Sequence, residues 1–202
     1  MPKDGTKTRE RIVDRSARLF NKRGYWGTSL TDVLEATGLE KGGLYHHFGS
    51  KEALALEAFD HSVDLIRDRF GAALAGRRHA GGRLHALVDA WVGIVQHPPL
   101  PGGCPIQNTA VEATDTHPGL RSRARQAMTE LLDGTVRRVI ERGIERGEIR
   151  PDADAKAVAT MFVAAGEGGI MLSRLYRDSA HMRRVGDQLH LLVDSLLTEP
   201  AP

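Results

Sequence analysis

An all-α fold is predicted for this chain by three observations. Apolar residues recur at the three- and four-residue spacing of a helix face along almost the whole sequence. Glycines and prolines fall between those segments, where a helix has to stop. No stretch reads as a strand, a repeat or a low-complexity tract. The first elements are short and the later ones long, so a small three-helix unit followed by a larger helical one is expected.

Taken in order, residues 8–23 put Ile12, Val13, Ser16, Ala17, Leu19 and Phe20 on one face, with Gly24 as the C-terminal stop. Residues 30–37 form a short second helix, with Ser29 as N-cap and Asp32 three residues on as a shortened capping box; Gly38 ends it. A small third helix follows Leu39. Ser50 caps a fourth over 51–75, which carries Leu54, Phe59, Val63, Ile66 and Phe70. A polar joint at 76–82 leads to a fifth helix over 83–96, containing Trp91. The run HPPLPGG (97–103) breaks the chain, because three prolines and two glycines cannot continue a helix. Residues 104–113 read as a short helix and 118–146 as a long one, opened by Thr116 and Pro118. After a turn at 147–154, with Asp154 as N-cap, helices over 155–177 and 181–197 complete the chain; residues 199–202 are expected to fray.

The stretch EKGGLYHHFGSKEAL (40–54) sets a problem. Two glycines weaken a very short helix by about 1 kcal/mol each relative to Ala, and Tyr45, His46 and His47 load it with hydrogen-bonding groups. A helix-turn-helix resolves it, since its second helix enters the DNA major groove by its N-terminal end. There Gly42 and Gly43 let the backbone approach bases and phosphates closely. Leu44 and Phe48, four apart, anchor the helix. Lys51, beside the free N–H groups of the next helix, offers an anion site.

The longer run ARLFNKRGYWGTSLTDVLEATGLEKGGLYHHFGSKEAL (17–54) closely resembles the DNA-binding domain of the tetracycline-repressor (TetR) family. The Leu-Phe start, Gly-Tyr-x-x-Thr-Ser, Ala-x-Gly and Tyr-x-x-Phe-x-x-Lys elements stand at the family's spacing. One position departs: Glu40 stands where the family usually has Ser, a poor N-cap that can favour the helix dipole or accept from a cytosine amino group. The resemblance implies a helix-turn-helix domain over 1–50 and a helical effector-binding and dimerisation domain over 51–202. It implies that Thr28, Ser29 and Thr31 meet one phosphate strand, that Lys41, Gly42, Gly43 and His46 face base edges, and that Tyr45, His47 and Lys51 hold the DNA backbone. The expected partners are double-stranded operator DNA, a second copy of the chain and a small-molecule effector.

Composition agrees with these expectations. With 41% hydrophobic and 27% charged residues the chain is globular. Residues 1–51 hold 10 Lys/Arg against 6 Asp/Glu, and residues 52–202 hold 18 against 20, so the N-terminal quarter is the basic one. Thr6 to Arg18 is too charged for a signal peptide, and the most apolar run, 157–172, is short and interrupted by Glu167, so no membrane association is expected. A single cysteine, Cys104, excludes an intrachain disulfide and a Cys-rich zinc site and fits a cytoplasmic location. His46 and His47 do not pair on a metal, because adjacent helical positions point about 100° apart. No cofactor is expected.

In the later helices AAGEGGIML (164–172) suits close packing against a partner helix, the alternative being a kink over the effector pocket. The stripe Met182, Val185, Leu189, Leu192, Val193 and Leu196 is core in a monomer, but two such helices at the chain's end favour a dimer seam. Pocket candidates are Trp91, Val95, Met128, Leu132, Met161, Phe162 and Glu167, which predict a largely hydrophobic effector. Cys104, in the run GGCPIQN at a helix start, resembles thiols in family branches that sense electrophiles, the alternative being an inert buried thiol. The leading reading is a ligand-responsive transcriptional repressor. A thiol-sensing repressor acting through Cys104, a small helical enzyme and a protein-binding adaptor without DNA binding are the competitors. Against an enzyme, the sequence has no Gly-rich phosphate loop, no HExxH and no GxSxG.

Overall fold

A computed structural model describes residues 3–198, so the fraying expected at 199–202 lies outside the described residues. The elements are α1 (Lys3–Arg23), α2 (Leu30–Thr37), α3 (Lys41–His47), α4 (Lys51–Leu74), α5 (Ala80–Gln96), α6 (Pro105–Ala113), α7 (Pro118–Thr129), α8 (Arg138–Glu145), α9 (Ala155–Tyr176) and α10 (Ala180–Leu196). Among the described residues the only β-type pairing outside strands is one antiparallel bridge, Ile149 with Leu197. Two starts come earlier than the pattern suggested. α1 begins at Lys3 and α5 at Ala80, where His79 accepts from the Gly81 N–H as N-cap. The long helix expected over 118–146 is interrupted: Glu130–Arg137 is π-helical, with the Thr135 hydroxyl donating five residues back to the Glu130 carbonyl.

The chain forms two compact units. One comprises residues 1–66 with 99–125, the other 67–98 with 126–202. The piece at 99–125, which holds α6, thus belongs with the first three helices, a grouping that a division at residue 50 does not contain.

In the first unit, Ile12, Val13, Val33, Leu44, Phe48 and Leu54 form one buried cluster, with Leu19, Phe20, Leu30, Leu34 and Leu39 against it. The anchoring of α3 by Leu44 and Phe48 is therefore as the spacing predicts. The capping box of α2 is complete: Ser29 Oγ accepts from the Asp32 N–H, and the Asp32 carboxylate accepts from the Ser29 N–H. Gly38 ends α2 in the left-handed region at φ 71°. Ser50 caps α4 by accepting from the Ala53 N–H at 3.0 Å.

In the second unit α10 packs on α9 and α5, and α9 on the π-helical segment. The close approaches are made by glycines. A Cβ at Gly166 would stand 2.7 Å from Trp91 Cε2, one at Gly169 2.6 Å from Met182 Sδ, and one at Gly186 2.9 Å from Val92 Cγ2. Between α5 and α10, His85 and His190 face each other Nδ1 to Nδ1 at 2.7 Å. Their outer nitrogens meet Asp194 at 3.0 Å and Asp89 at 3.2 Å, which ties the helix pair across its polar edge. At 22 residues α9 is long and apolar enough to cross a membrane, contrary to the shorter run read from the sequence. Yet it buries Phe162, Val163, Glu167 and Ile170, as a core helix does.

Candidate nucleic-acid interface

The surface of α3 is largely open. Lys41, Gly42, Tyr45 and His46 are exposed, and Gly43 and His47 half-buried. A Cβ at Gly42 would meet nothing within 4 Å, and one at Gly43 only Leu39 Cδ2 at 3.8 Å, an ordinary contact. Both glycines are in helical backbone, where Ala is about 1 kcal/mol better. No packing or φ requirement within the described chain accounts for them. Tyr45 stands 43% exposed, and the His46 and His47 rings meet edge-on at 5.4 Å. Glu40, the N-cap of α3, makes no side-chain cap hydrogen bond, as its chemistry predicts.

Two of the side chains that the resemblance assigned to phosphate are engaged internally. Thr28 is fully buried, and its hydroxyl donates to the Gly24 carbonyl at 2.7 Å; this corrects its expected role, because a buried hydroxyl already donating to the backbone has no face for phosphate. The Lys51 ammonium donates to the Tyr25 carbonyl at 2.7 Å and lies 4.1 Å from the centre of the Tyr25 ring. Burial there pulls its pKa below the ordinary lysine value, against the pull of Glu112 and Asp32. Ser29 and Thr31 remain exposed at the start of α2. The hydrogen bonds from Ser29 hold the Asp32 carboxyl below its usual range, with Arg23 adding an ion pair at 2.7 Å.

The loop before α2 is positioned by residues that local reading misses. Both oxygens of Glu112, on α6, accept from backbone N–H groups, Tyr25 at 3.0 Å and Trp26 at 2.9 Å. No local pattern announces a contact 87 residues apart. A second clasp joins α1 to the turn before α6. Asn21 Nδ2 donates to the Pro101 and Gly103 carbonyls, and Asn108 Nδ2 donates to the Asn21 and Gly102 carbonyls. Gly102, at φ 111°, approaches so closely that a Cβ would stand 2.3 Å from the Asn21 carbonyl oxygen. The two glycines and Asn108 of the run GGCPIQN are thus accounted for by backbone conformation and these amides. Within it Cys104 is the buried N-cap position of α6.

The expected effector-pocket residues separate. Trp91 and Phe162 are fully buried with ring centres 5.5 Å apart, and Phe70 meets Trp91 edge-on at 5.2 Å. Glu167 is buried on the same helix as Phe162, while Val95, Met128 and Leu132 are half-buried. Met161 is 52% exposed on the outer side of α9, one position away from the inward Phe162, so it does not line a pocket with them, contrary to the expectation. Cys104 belongs to the other compact unit and is not grouped with them.

The tetR family of bacterial regulatory proteins matches residues 12–58, and the tetracyclin repressor-like C-terminal domain matches residues 80–189, more than half of the chain. This chain is a TetR-family transcriptional regulator. The TetR regulator is 44% identical to a TetR transcriptional regulator of known structure from Chloroflexus aurantiacus, at TM-score 0.92 over 96% of this chain and 97% of that one. A TetR-family regulator from Cytophaga hutchinsonii is 31% identical at TM-score 0.87, over 99% and 100%. In sequence it is 31% identical to an HTH-type transcriptional regulator of Mycobacterium tuberculosis, over 95% of this chain and 96% of the relative. α2 and α3 are the helix-turn-helix, and the TetR match covers them whole.

Proposed function

We propose that this TetR-family regulator is a cytoplasmic repressor that binds a palindromic operator as a homodimer and releases it when a small-molecule effector binds. The observation that carries the DNA reading is the open space at Gly42 and Gly43 on an exposed α3. Lys41, Gly42, Gly43 and His46 read base edges; Thr31, Tyr45 and His47, with the Ser29 end of α2, meet phosphates. Lys51 acts chiefly by fixing the 24–27 loop, together with Glu112. Residues 1–50 act as the reading domain and 51–202 as the effector and dimer domain, with α6 lending Glu112 back to the first.

The outer face of α9 supports the dimer. Met161, Gly168 and Leu175 fall seven apart, with Met171 beside them; Leu175 is 69% exposed, and a Cβ at Gly168 would meet nothing within 4 Å. The apolar stripe on α10, expected at the seam, is largely used within the chain, since Met182, Leu189, Val193 and Leu196 are buried there. Gly166 and Gly169 are likewise spent inside, which leaves Gly168 and the exposed apolar residues for the partner. The effector is a largely hydrophobic compound held near Trp91, Val95, Met128, Leu132 and Phe162, with Glu167 facing a cation or hydroxyl. Its binding is transmitted along α4, which begins at Lys51 beside the helix-turn-helix and ends at Leu74.

The test is a gel shift on the DNA immediately upstream of the gene at two salt concentrations. Specific retardation that weakens with salt, and a changed base preference in Lys41→Ala, are expected. Equal binding to unrelated DNA by parent and variant would overturn the reading.

A further inference from the structure

Seven arginines in the described chain are answered by carboxylates: Arg9 by Glu57, Arg18 by Asp14, Arg23 by Asp32, Arg67 by Glu130, Arg123 by Asp60, Arg137 by Asp133 and Glu141, and Arg150 by Asp152. Six others are not. Arg77, Arg78, Arg83, Arg138, Arg142 and Arg146 line a single cleft of about 430 Å³ in the second unit. None of the six has an ion pair with a carboxylate among the described residues. Their side-chain hydrogen bonds go to main-chain carbonyls, which orient a guanidinium without neutralising it: Arg77 to Ala73, Arg83 to Arg77 and Arg146 to Arg78. The one acidic residue lining the cleft, Glu148, accepts from the Ala80 N–H at 2.6 Å.

The way the chain builds this cleft runs against its own stability. Arg138, Arg142 and Arg146 repeat every four residues along α8 and the residue beyond it, a spacing that stacks like charges on one helix face. The helix C-terminus favours cations in its last turn, but that says nothing for the three arginines that face them from 77–83. Gly143 brings the two sets together, because a Cβ there would stand 2.7 Å from Ala80 Cβ. Gly134 and Thr135 of the π-helical segment form part of the wall, and such segments concentrate at functional sites. A volume of about 430 Å³ falls within the range of small-ligand sites.

We infer that this cleft is a binding site for a small polyanion carrying two or more phosphate groups, such as a nucleoside diphosphate or an inorganic polyphosphate. Guanidinium forks pair phosphate oxygens two at a time, and a multivalent anion relieves the repulsion among the six. The cleft is concave and of single-ligand size, which suits a free molecule better than a duplex. None of its residues belongs to the helix-turn-helix, so the inference stands independently of the DNA reading.

Full-length protein is titrated by calorimetry and thermal shift with inorganic triphosphate, with ADP, and with sulfate at matched ionic strength. Triphosphate or ADP is expected to bind at least ~10-fold more tightly than sulfate and to raise Tm. Triphosphate matching ADP assigns the site to the phosphate chain alone; ADP exceeding triphosphate adds a nucleoside contact; both uphold the site. The double variant Arg138→Gln, Arg142→Gln should lose at least ~10-fold in affinity for the tighter probe, while its anion-free Tm equals or exceeds the parent's. Circular dichroism checks that the variant is folded. Binding of neither probe above sulfate, or a folded variant that binds as the parent does, overturns the site. So does a loss of operator affinity in the variant without binding of either probe, which would give these arginines to DNA.

Discussion

Gly42 and Gly43 on α3 and Gly166 and Gly169 on α9 look alike in the sequence, each pair set in a helix that Ala would stabilise. Their surroundings are opposite. Around Gly42 there is empty space, and at Gly43 the nearest side-chain atom is 3.8 Å away; at Gly166 and Gly169 a Cβ would stand 2.7 Å from Trp91 and 2.6 Å from Met182. The second pair is required by the fold and the first is not. On the proposed reading, the room at Gly42 and Gly43 is left for the DNA that α3 approaches.

That contrast makes its sharpest prediction in the core. Gly166→Ala forces the Trp91 ring aside and should destabilise the protein by about 1–3 kcal/mol, read from a denaturant midpoint. Operator affinity per folded molecule should be unchanged. Gly168→Ala, two residues along the same helix and facing open space, should not destabilise the protomer. Equal losses at 166 and 168 would dissolve the distinction.

Between those extremes lies the loop that joins α1 to α2. Glu112→Ala frees two backbone donors and should cost roughly 1–3 kcal/mol. Unlike Gly166→Ala, it should also weaken operator binding, because the loop sets where α2 begins. Ser29→Ala removes the cap of α2 and should cost about 1 kcal/mol. The same cap sets an acid limit. Asp32 has a folded pKa held below its ordinary 3.8, so its contribution is fully present above that value and is lost as pH falls through the folded one. Helicity lost on acidification below about pH 4 should therefore be smaller in an Asp32→Asn variant, which has already given up that term.

What the sequence made legible was local. Ser29 with Asp32, Gly38, Leu44 with Phe48, and Asp154 are each set by neighbours within four residues, and each takes the expected place. Thr28 differs for a local reason, its hydroxyl being taken by the Gly24 carbonyl four residues back. Lys51, drawn to Tyr25, and Glu112, which reaches a loop 86 and 87 residues back, depend on distant chain. Met161 was misplaced by one position of helical phase, which carries a side chain from the core to the surface. The arginine cleft was invisible because its halves come from segments some sixty residues apart, each an ordinary solvated run when read alone.

The central claim, that α3 is shaped by an external partner, is tested most directly by Gly42→Ala, with stability and operator affinity measured on the same preparation. The expected result is opposed signs: stability rising by about 0.5–1 kcal/mol, because Ala fits the helix and nothing lies within 4 Å of its Cβ, and operator affinity falling by roughly ten-fold, about 1.4 kcal/mol, as the methyl holds the backbone off the bases. A variant that gains stability and binds its operator as tightly as the parent would contradict the account.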